Sequence, residues 1–329
     1  MNDTAPDPRR QPPLESLSGA RPSAPAWFEK ALADAPERGF TEAAGARIET
    51  LAWGERGKPG LLFLHGNGAH ADWWSFIAPF FSGSHRCVAL SWSGMGGSDR
   101  RERYSFDIFV QEAMVVAEAT GLFEGSAKPV FIGHSFGGFP ILEAAARYGE
   151  RLGGVITIDT PIFSAERRRE RKEKGAAWEM RPHKIYPTLE AALQRFRLVP
   201  AQPCENLFIA RTSLAQVHTP EGSGWTWRFD PYLWRDYEWE DPAPALSAPK
   251  CPLAILLGER STLMRDDDIA RMRGLPPPGT PVIAIPEAYH HVLIDQPLAL
   301  IAVLRTLLAG WRSSSDGSGV NTPMNRGLA

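Results

Sequence analysis

Cysteine is scarce in this chain. Cys87, Cys204 and Cys251 are the only three, widely spaced and without a C-x-x-C pair. That excludes a disulfide framework or a thiolate-clustered metal site, and suits buried apolar thiols in a reducing compartment. Long apolar runs are missing too: none approaches the ~20 residues that span a bilayer. The first residues, MNDTAPDPRRQPPLESLSGARPSAP, have no signal-peptide core. A soluble cytoplasmic protein is expected, with no membrane span. Neither sign of charge dominates. A net charge of −2 provides no global basic field for nucleic acid or anionic lipid. There is no H-E-x-x-H, no clustered Cys/His ligand set, no G-K-S/T after the glycine-bearing HGNG at 65–68, no repeat and no coiled-coil heptad.

What is present is enough for a real core. The composition is 43% hydrophobic and 22% charged over 329 residues, which suits one large domain or one domain with an insertion. The Pro-, Arg- and Ser-rich residues 1–24 and RSSSDGSGVNTPMNRGLA at 312–329 show no periodicity and are expected to be disordered tails that add no core. Between them, short apolar runs alternate with helical patterns. RIETLAW (47–53) and GLLFLHG (60–66) read as a strand pair. Strands are also expected at 87–92, 129–133, 154–159, 251–258 and 281–286, and helices at 105–122, 139–149 and 296–311. Continuous apolar strands alternating with helices predict an α/β fold, a mostly parallel twisted sheet covered by helices on both faces.

The alternation breaks between residues 162 and 249, a stretch too long for a plain loop. It opens on the charge run ERRRERKEK (166–174), expected as a solvated helix face, and continues with helical patterns near 188–198 and 204–216. An inserted helical cap is expected there, on a core made of 25–161 and 250–311.

The chemistry concentrates in VFIGHSFGGFP (130–140). Gly133-His134-Ser135-Phe136-Gly137 fits G-x-S-x-G, with an apolar strand before it and a helical pattern after it. The pattern has a steric origin: a nucleophile on a sharp strand-to-helix turn brings the residues two before and two after it together, where side chains do not fit. The turn lifts the hydroxyl clear of the sheet, at a helix start that favours negative charge. Serine needs a base. AYHHVLIDQP (288–297) offers His290 and His291, after the last expected strand, where ligands meet such sheets. Two oxyanion donors are expected: the N–H of Phe136, next to the nucleophile, and that of Asn67 in LHGNGAH (64–70). His65 in that loop is expected to be structural.

Four stretches in this order, LHGNGAHADWW (64–74), SWSGMGGSD (91–99), GHSFGG (133–138) and AYHHVLIDQP (288–297), resemble the α/β-hydrolase superfamily in its cap-bearing form. The resemblance covers roughly residues 40–311 and implies that His290, with His291 as its packing neighbour, is the base. Two departures stand out. Ser91 occupies a position where the family has Asp, usually structural. Ser261 in Gly258-Glu259-Arg260-Ser261 occupies the position of the usual triad acid. Some cap-bearing relatives carry the acid one strand earlier, which here is Asp159 in GVITIDTPI. Asp159 is the first candidate, followed by Asp266, Asp267 and Asp268, which also suit a helix start, and then Glu259.

Dehalogenases and epoxide hydrolases of the superfamily use Asp where this chain has Ser135. The resemblance therefore implies acyl transfer: a cofactor-free and metal-free serine hydrolase for a carboxylic ester, with C–C bond or lactone hydrolysis as alternatives on the same fold. A non-catalytic binding protein on a hydrolase scaffold is the competing class. Its ground is Ser261. GWTWRFDPYLW (224–234) concentrates aromatics. Trp225 and Trp227, with Trp73, Trp74 and His134, are the expected walls of a pocket for a small molecule with an apolar portion, although aromatics serve a cap's own core equally well. Arg228 has two expected partners, Asp230 or a substrate carboxylate. The oligomeric state is not legible in the sequence.

Overall fold

The structure is a computed structural model that describes residues 11–173, 181–215, 217–218 and 224–316. The outer parts of both expected tails, 1–10 and 317–329, lie outside the described residues, as does the end of the charge run at Lys174.

Strands β1 (Glu37–Ala43), β2 (Ala46–Trp53), β3 (Gly60–Leu64), β4 (Arg86–Leu90), β5 (Val130–His134), β6 (Gly154–Ile158), β7 (Leu253–Gly258) and β8 (Val282–Ile285) form one sheet. Their order is β1-β2-β4-β3-β5-β6-β7-β8. β1–β2 and β2–β4 are antiparallel, and every other pair is parallel. The expected pairing of 47–53 with 60–66 is corrected. β4 lies between β2 and β3, because the connection after β3 carries the chain past it and back. β1 was not anticipated. Its sequence, ERGFTEA, is mostly polar and exposed, as suits an edge strand that must not pair with another molecule.

Strands β3 to β6 are buried along their whole length. Successive side chains still point to opposite faces. Leu62, Leu64, Phe131 and Val155 pack with helices α1 (Phe106–Ala119) and α2 (Gly138–Tyr148). Leu61, Phe63, Ile132, Ile156 and Leu256 pack with the buried face of α3 (Pro297–Asp316). Each such side chain contributes about 1.5–3 kcal/mol by leaving water. The sheet is therefore a rigid platform, and the ends of its parallel strands point to one common rim. Helix α1 begins at Ser105, whose hydroxyl accepts the Ile108 N–H at 3.3 Å.

The tail boundaries are shifted by the structure. Leu14 is 1% exposed and joins Phe28 in the second face's core, so residues 11–24 do contribute to it. At the other end α3 runs past Trp311 to Asp316. The segment between β6 and β7 holds short helices at Ala165–Glu173, Leu189–Leu193 and Ala243–Ser247, an α-to-π turn over 207–214, and a two-residue hairpin, Val217–His218 with Thr226–Trp227. Between these, its described residues are mostly irregular. Its charge run is partly engaged rather than simply solvated: Arg168 grips both oxygens of Asp241 at 2.8 and 2.9 Å. No described helix is long and apolar enough to cross a membrane.

Candidate active site

Ser135 sits where β5 ends and a short 3-10 turn leads into α2, with φ = +51°. That left-handed conformation is uncommon outside glycine and marks the tight turn expected of the motif. The glycines have steric roles. A Cβ on Gly133 would collide with the Gly137 carbonyl, and one on Gly137 would lie 2.5 Å from the Leu64 carbonyl oxygen. Thr160 braces the turn by donating from Oγ1 to the Ser135 carbonyl at 3.0 Å.

His290 and Asp159 reach the same rim from β8 and β6. His290 Nε2 lies 3.0 Å from Ser135 Oγ, and its Nδ1 lies 2.7 Å from Asp159 Oδ2. Asp159, φ = +47°, is fully buried at the end of β6. Its other oxygen accepts the Gly258 N–H at 2.9 Å. Ser261, standing where the resemblance implies an acid, donates its hydroxyl to Asp159 Oδ2 at 2.7 Å. Asp266 and Asp267 are exposed in the first turn of the helix Asp266–Gly274, and the two remaining acid candidates are engaged elsewhere. Asp268 accepts the Arg265 N–H at the start of its helix, and Glu259 accepts the Glu287 N–H. The three meet in the chain order serine, carboxylate, histidine, with the carboxylate contributed by the strand after α2.

The loop after β3 is held from several directions. His65 accepts the Trp92 N–H on Nε2 at 3.0 Å, while Trp92 Nε1 donates to the His65 carbonyl at 3.1 Å. Burial holds His65 neutral, its pKa pushed down to about 3. The Asn67 N–H has no acceptor among the described residues. The Phe136 N–H opens a helix and has no intrahelical acceptor by geometry. Asn67 Oδ1 accepts from Trp234 Nε1 at 3.1 Å, and this bond ties the loop to the segment between β6 and β7.

The five residues expected to wall the pocket are distributed differently. Trp74 is fully buried against Phe63, a core position rather than a wall. Trp73 lies over His134 and His291, behind His290. His134 is also corrected. It is 1% exposed, and its Nε2 donates to the His290 carbonyl at 3.0 Å, so it braces His290. Burial, and then the neighbouring His290, push its pKa down to about 3 and keep it neutral. Trp225 pairs its backbone with Tyr186, and Trp227 packs on Phe196, both within the inserted segment. Within the inserted segment, the rings of Trp234 at 5.1 Å and Trp239 at 6.3 Å meet Phe136, which Trp92 of the core also meets, at 6.1 Å. Trp239 is 54% exposed and stacks on Trp234, with Phe139 and Tyr237 beside them.

Sequence reasoning missed Gln202 altogether. Its amide nitrogen donates to Asp295 at 2.9 Å and its oxygen accepts the His291 N–H at 3.0 Å. Asp295 Oδ2 in turn accepts the Tyr289 N–H at 2.8 Å, so the loop is clamped on both sides of His290. Burial raises the Asp295 carboxyl to about pKa 6. Asp230 bonds Tyr104 Oη at 2.8 Å and the Tyr232 N–H at 2.9 Å.

With this geometry in view, comparison with known proteins is decisive at the family level. Residues 61–303 match the model of the alpha/beta hydrolase family. The chain belongs to that family and is a hydrolase. Among curated alpha/beta hydrolases it is 26% identical over 271 residues to Esterase Rv0045c of Mycobacterium tuberculosis, covering 80% of this chain and 87% of that protein. It is 32% identical over 121 residues to Epoxide hydrolase 4 of Homo sapiens, where the match covers only 36% of this chain and 32% of that protein. Among solved structures, a crystal structure of Esterase Rv0045c superposes with a TM-score of 0.65 at 22% identity, over 93% of this chain and 99% of that one. A thioesterase domain from the curacin biosynthetic pathway superposes with a TM-score of 0.66 at 20% identity, over 82% and 99%. These last two likenesses concern the alpha/beta hydrolase fold alone.

Proposed function

We propose that this hydrolase cleaves a carboxylic ester of a small molecule with an apolar portion, through Ser135, His290 and Asp159 and an acyl-enzyme. The observation that carries the reading is the unbroken line Asp159–His290–Ser135, with separations of 2.7 and 3.0 Å. His290 takes the Ser135 proton as Oγ attacks the ester carbonyl, and Asp159 stabilises the imidazolium that forms. The developing oxyanion is received by the N–H groups of Asn67 and Phe136. His290 then gives its proton to the leaving alcohol. Water enters, His290 deprotonates it, and attack on the acyl carbon releases the acid and restores the Ser135 hydroxyl. The chemistry calls on no cofactor.

The resemblance to an esterase over most of both chains supports the ester assignment. The epoxide hydrolase likeness covers a third of the chain, and the family resemblance ties that chemistry to Asp at the position of Ser135. The binding-protein reading loses its ground, because Ser261 partners a carboxylate instead of replacing one. The segment 162–249 acts as a cap that selects substrate, with Trp234 and Trp239 facing the nucleophile's neighbour Phe136. The free thiols Cys87, Cys204 and Cys251 fit a cytoplasmic location.

A fluorophosphonate probe should label wild-type protein at one residue, Ser135, and leave Ser135→Ala unlabelled. Turnover of p-nitrophenyl esters of increasing chain length then tests the substrate class. A folded wild-type protein that takes no label would end the hydrolase mechanism proposed here.

A further inference from the structure

Asn67 and Phe136 carry the N–H groups that the proposed mechanism aims at the oxyanion, and one side chain of the inserted segment touches both residues. Trp234 Nε1 donates to Asn67 Oδ1 at 3.1 Å, and the Trp234 ring meets the Phe136 ring edge-on, with centroids 5.1 Å apart. Asn67 is exposed and Trp234 only partly buried. Water could satisfy both polar groups, so the bond adds little to stability and its effect lies in what it orients.

The loop after β3 depends on such outside ties. Gly66 and Gly68 flank Asn67, and a backbone between glycines has little stiffness of its own. Within the loop the Ala69 N–H reaches the Gly66 carbonyl only at 3.3 Å. Gly68, φ = +67°, gives its N–H to the Met95 thioether at 3.3 Å. Met95 pairs with Phe229 of the inserted segment in an antiparallel bridge: the Gly96 N–H donates to the Arg228 carbonyl at 2.8 Å, and the Asp230 N–H to the Gly94 carbonyl at 2.6 Å. The buried Asp230 carboxylate anchors this run, accepting from Tyr104 Oη and from the Tyr232 N–H. Trp234 follows directly and reaches Asn67. At the far end of the loop, His70 Nε2 donates to the Leu214 carbonyl at 3.0 Å, again in the inserted segment.

We propose that Trp234 is a positioning residue for the oxyanion site: its indole N–H holds the Asn67 side chain, and through it the Asn67 peptide N–H, where the oxyanion forms. This rests on the proposed ester mechanism and deepens it, since the inserted segment then acts on the rate of the chemical step as well as on the choice of substrate. A preorganised donor contributes because it need not reorient as charge develops, and removing one outright costs about 10²–10³ in kcat. Breaking the tether keeps the donor but lets it swing, so a loss of about tenfold is expected. The loss falls on kcat rather than KM, because the neutral carbonyl gains little from the donor before attack.

The test compares wild type, Trp234→Phe, Asn67→Ala and the double variant on p-nitrophenyl acetate. Trp234→Phe keeps a ring against Phe136 and removes the N–H. Asn67→Ala removes the acceptor at an exposed position and keeps the peptide N–H. Each single substitution should lower kcat about tenfold, with KM within about twofold of wild type. The double variant should be no slower than the slower single one, because both substitutions break the same bond. A trifluoromethyl ketone gives a second readout that a merely structural indole would not move. Ser135 Oγ bonds to the ketone carbon, its proton passes to His290, and the ketone oxygen becomes the oxyanion, so affinity should fall by the same factor as kcat. Unchanged kcat and ketone affinity in Trp234→Phe, or losses that multiply in the double variant, overturn the inference. Should Trp234→Phe fail to fold, Asn67→Ala decides: wild-type kcat and ketone affinity in that variant overturn it. Wild type that takes no fluorophosphonate and turns over no ester overturns the ester mechanism and this inference together. Active wild type beside an indifferent Trp234→Phe overturns this inference only.

Discussion

At two places where the family resemblance implies Asp, this chain has Ser, and both hydroxyls reach a carboxylate borrowed from a neighbouring strand. Ser91, after β4, donates to Glu49 Oε2 on β2 at 2.7 Å. Ser261, after β7, donates to Asp159 Oδ2 at the end of β6, also at 2.7 Å. In each case the two strands pair directly in the sheet. The regions differ in what else the carboxylate holds. Glu49 also accepts the Gly97 N–H at 2.8 Å, and Ser91 Oγ accepts the Ala71 N–H at 3.0 Å. These bonds hold the loops after β3 and β4. Asp159 holds His290, the proposed base. The contrast suggests that a carboxylate can move one strand along a sheet when a hydroxyl fills the vacated place, whatever the carboxylate serves.

That contrast can be broken most forcefully at Asp159. Asp159→Asn should lower kcat on p-nitrophenyl esters by roughly 10⁴-fold, since the amide cannot stabilise the imidazolium or fix its tautomer. Retained turnover would remove Asp159 from the mechanism and make the two regions alike. Glu49→Ala should show the opposite profile. It strands the Ser91 hydroxyl and the Gly97 N–H, and should cost about 2–3 kcal/mol of stability in urea unfolding. Its kcat, measured on folded protein, should stay near wild type; a collapse in kcat at unchanged stability would contradict the division drawn here.

Ser261→Ala sharpens the comparison at smaller scale. It removes one hydrogen bond to a charged group while leaving Asp159 its bonds to Gly258 and His290. A fall in kcat of about tenfold is expected, equivalent to about 1.4 kcal/mol. The smallest effect concerns Asp295, whose carboxyl burial raises to about pKa 6 from an ordinary 3.8. An acid whose folded pKa is raised takes up a proton on folding between those two values, so it opposes folding increasingly as pH rises through that window. Asp295→Asn should therefore be relatively less costly at pH 7 than at pH 4, by about 1–2 kcal/mol after allowing for partial burial. Urea midpoints of both proteins at the two pH values test the sign.

Legibility in the sequence followed physical locality. The parallel strands were readable because burial on both faces demands unbroken apolar runs. β1 was not, because an edge strand is polar and resembles a loop. The turn at Ser135 was readable because its glycines answer a steric demand within five residues. The aromatics were read only in part: Trp225, Trp227 and Trp234 share the densest aromatic stretch, yet it is Trp234, with Trp239 beyond it, that meets Phe136. Local density does not say which way a ring points. Gln202 gave no signal, since a lone glutamine carries none until its partners Asp295 and His291 are brought to it.

The sequence by itself determined the α/β alternation, the strained turn that presents Ser135, and a short list of bases and acids. Those features depend on sterics and periodicity among near neighbours. Only the tertiary structure decided that Asp159, 131 positions from His290, shares a 2.7 Å contact with it, that His134 is buried and bonded to the His290 carbonyl, and that Trp234 meets the loop of Asn67. Those outcomes depend on which strands lie side by side and where each ends, and strand order is fixed by packing of the whole sheet rather than by any local run of residues.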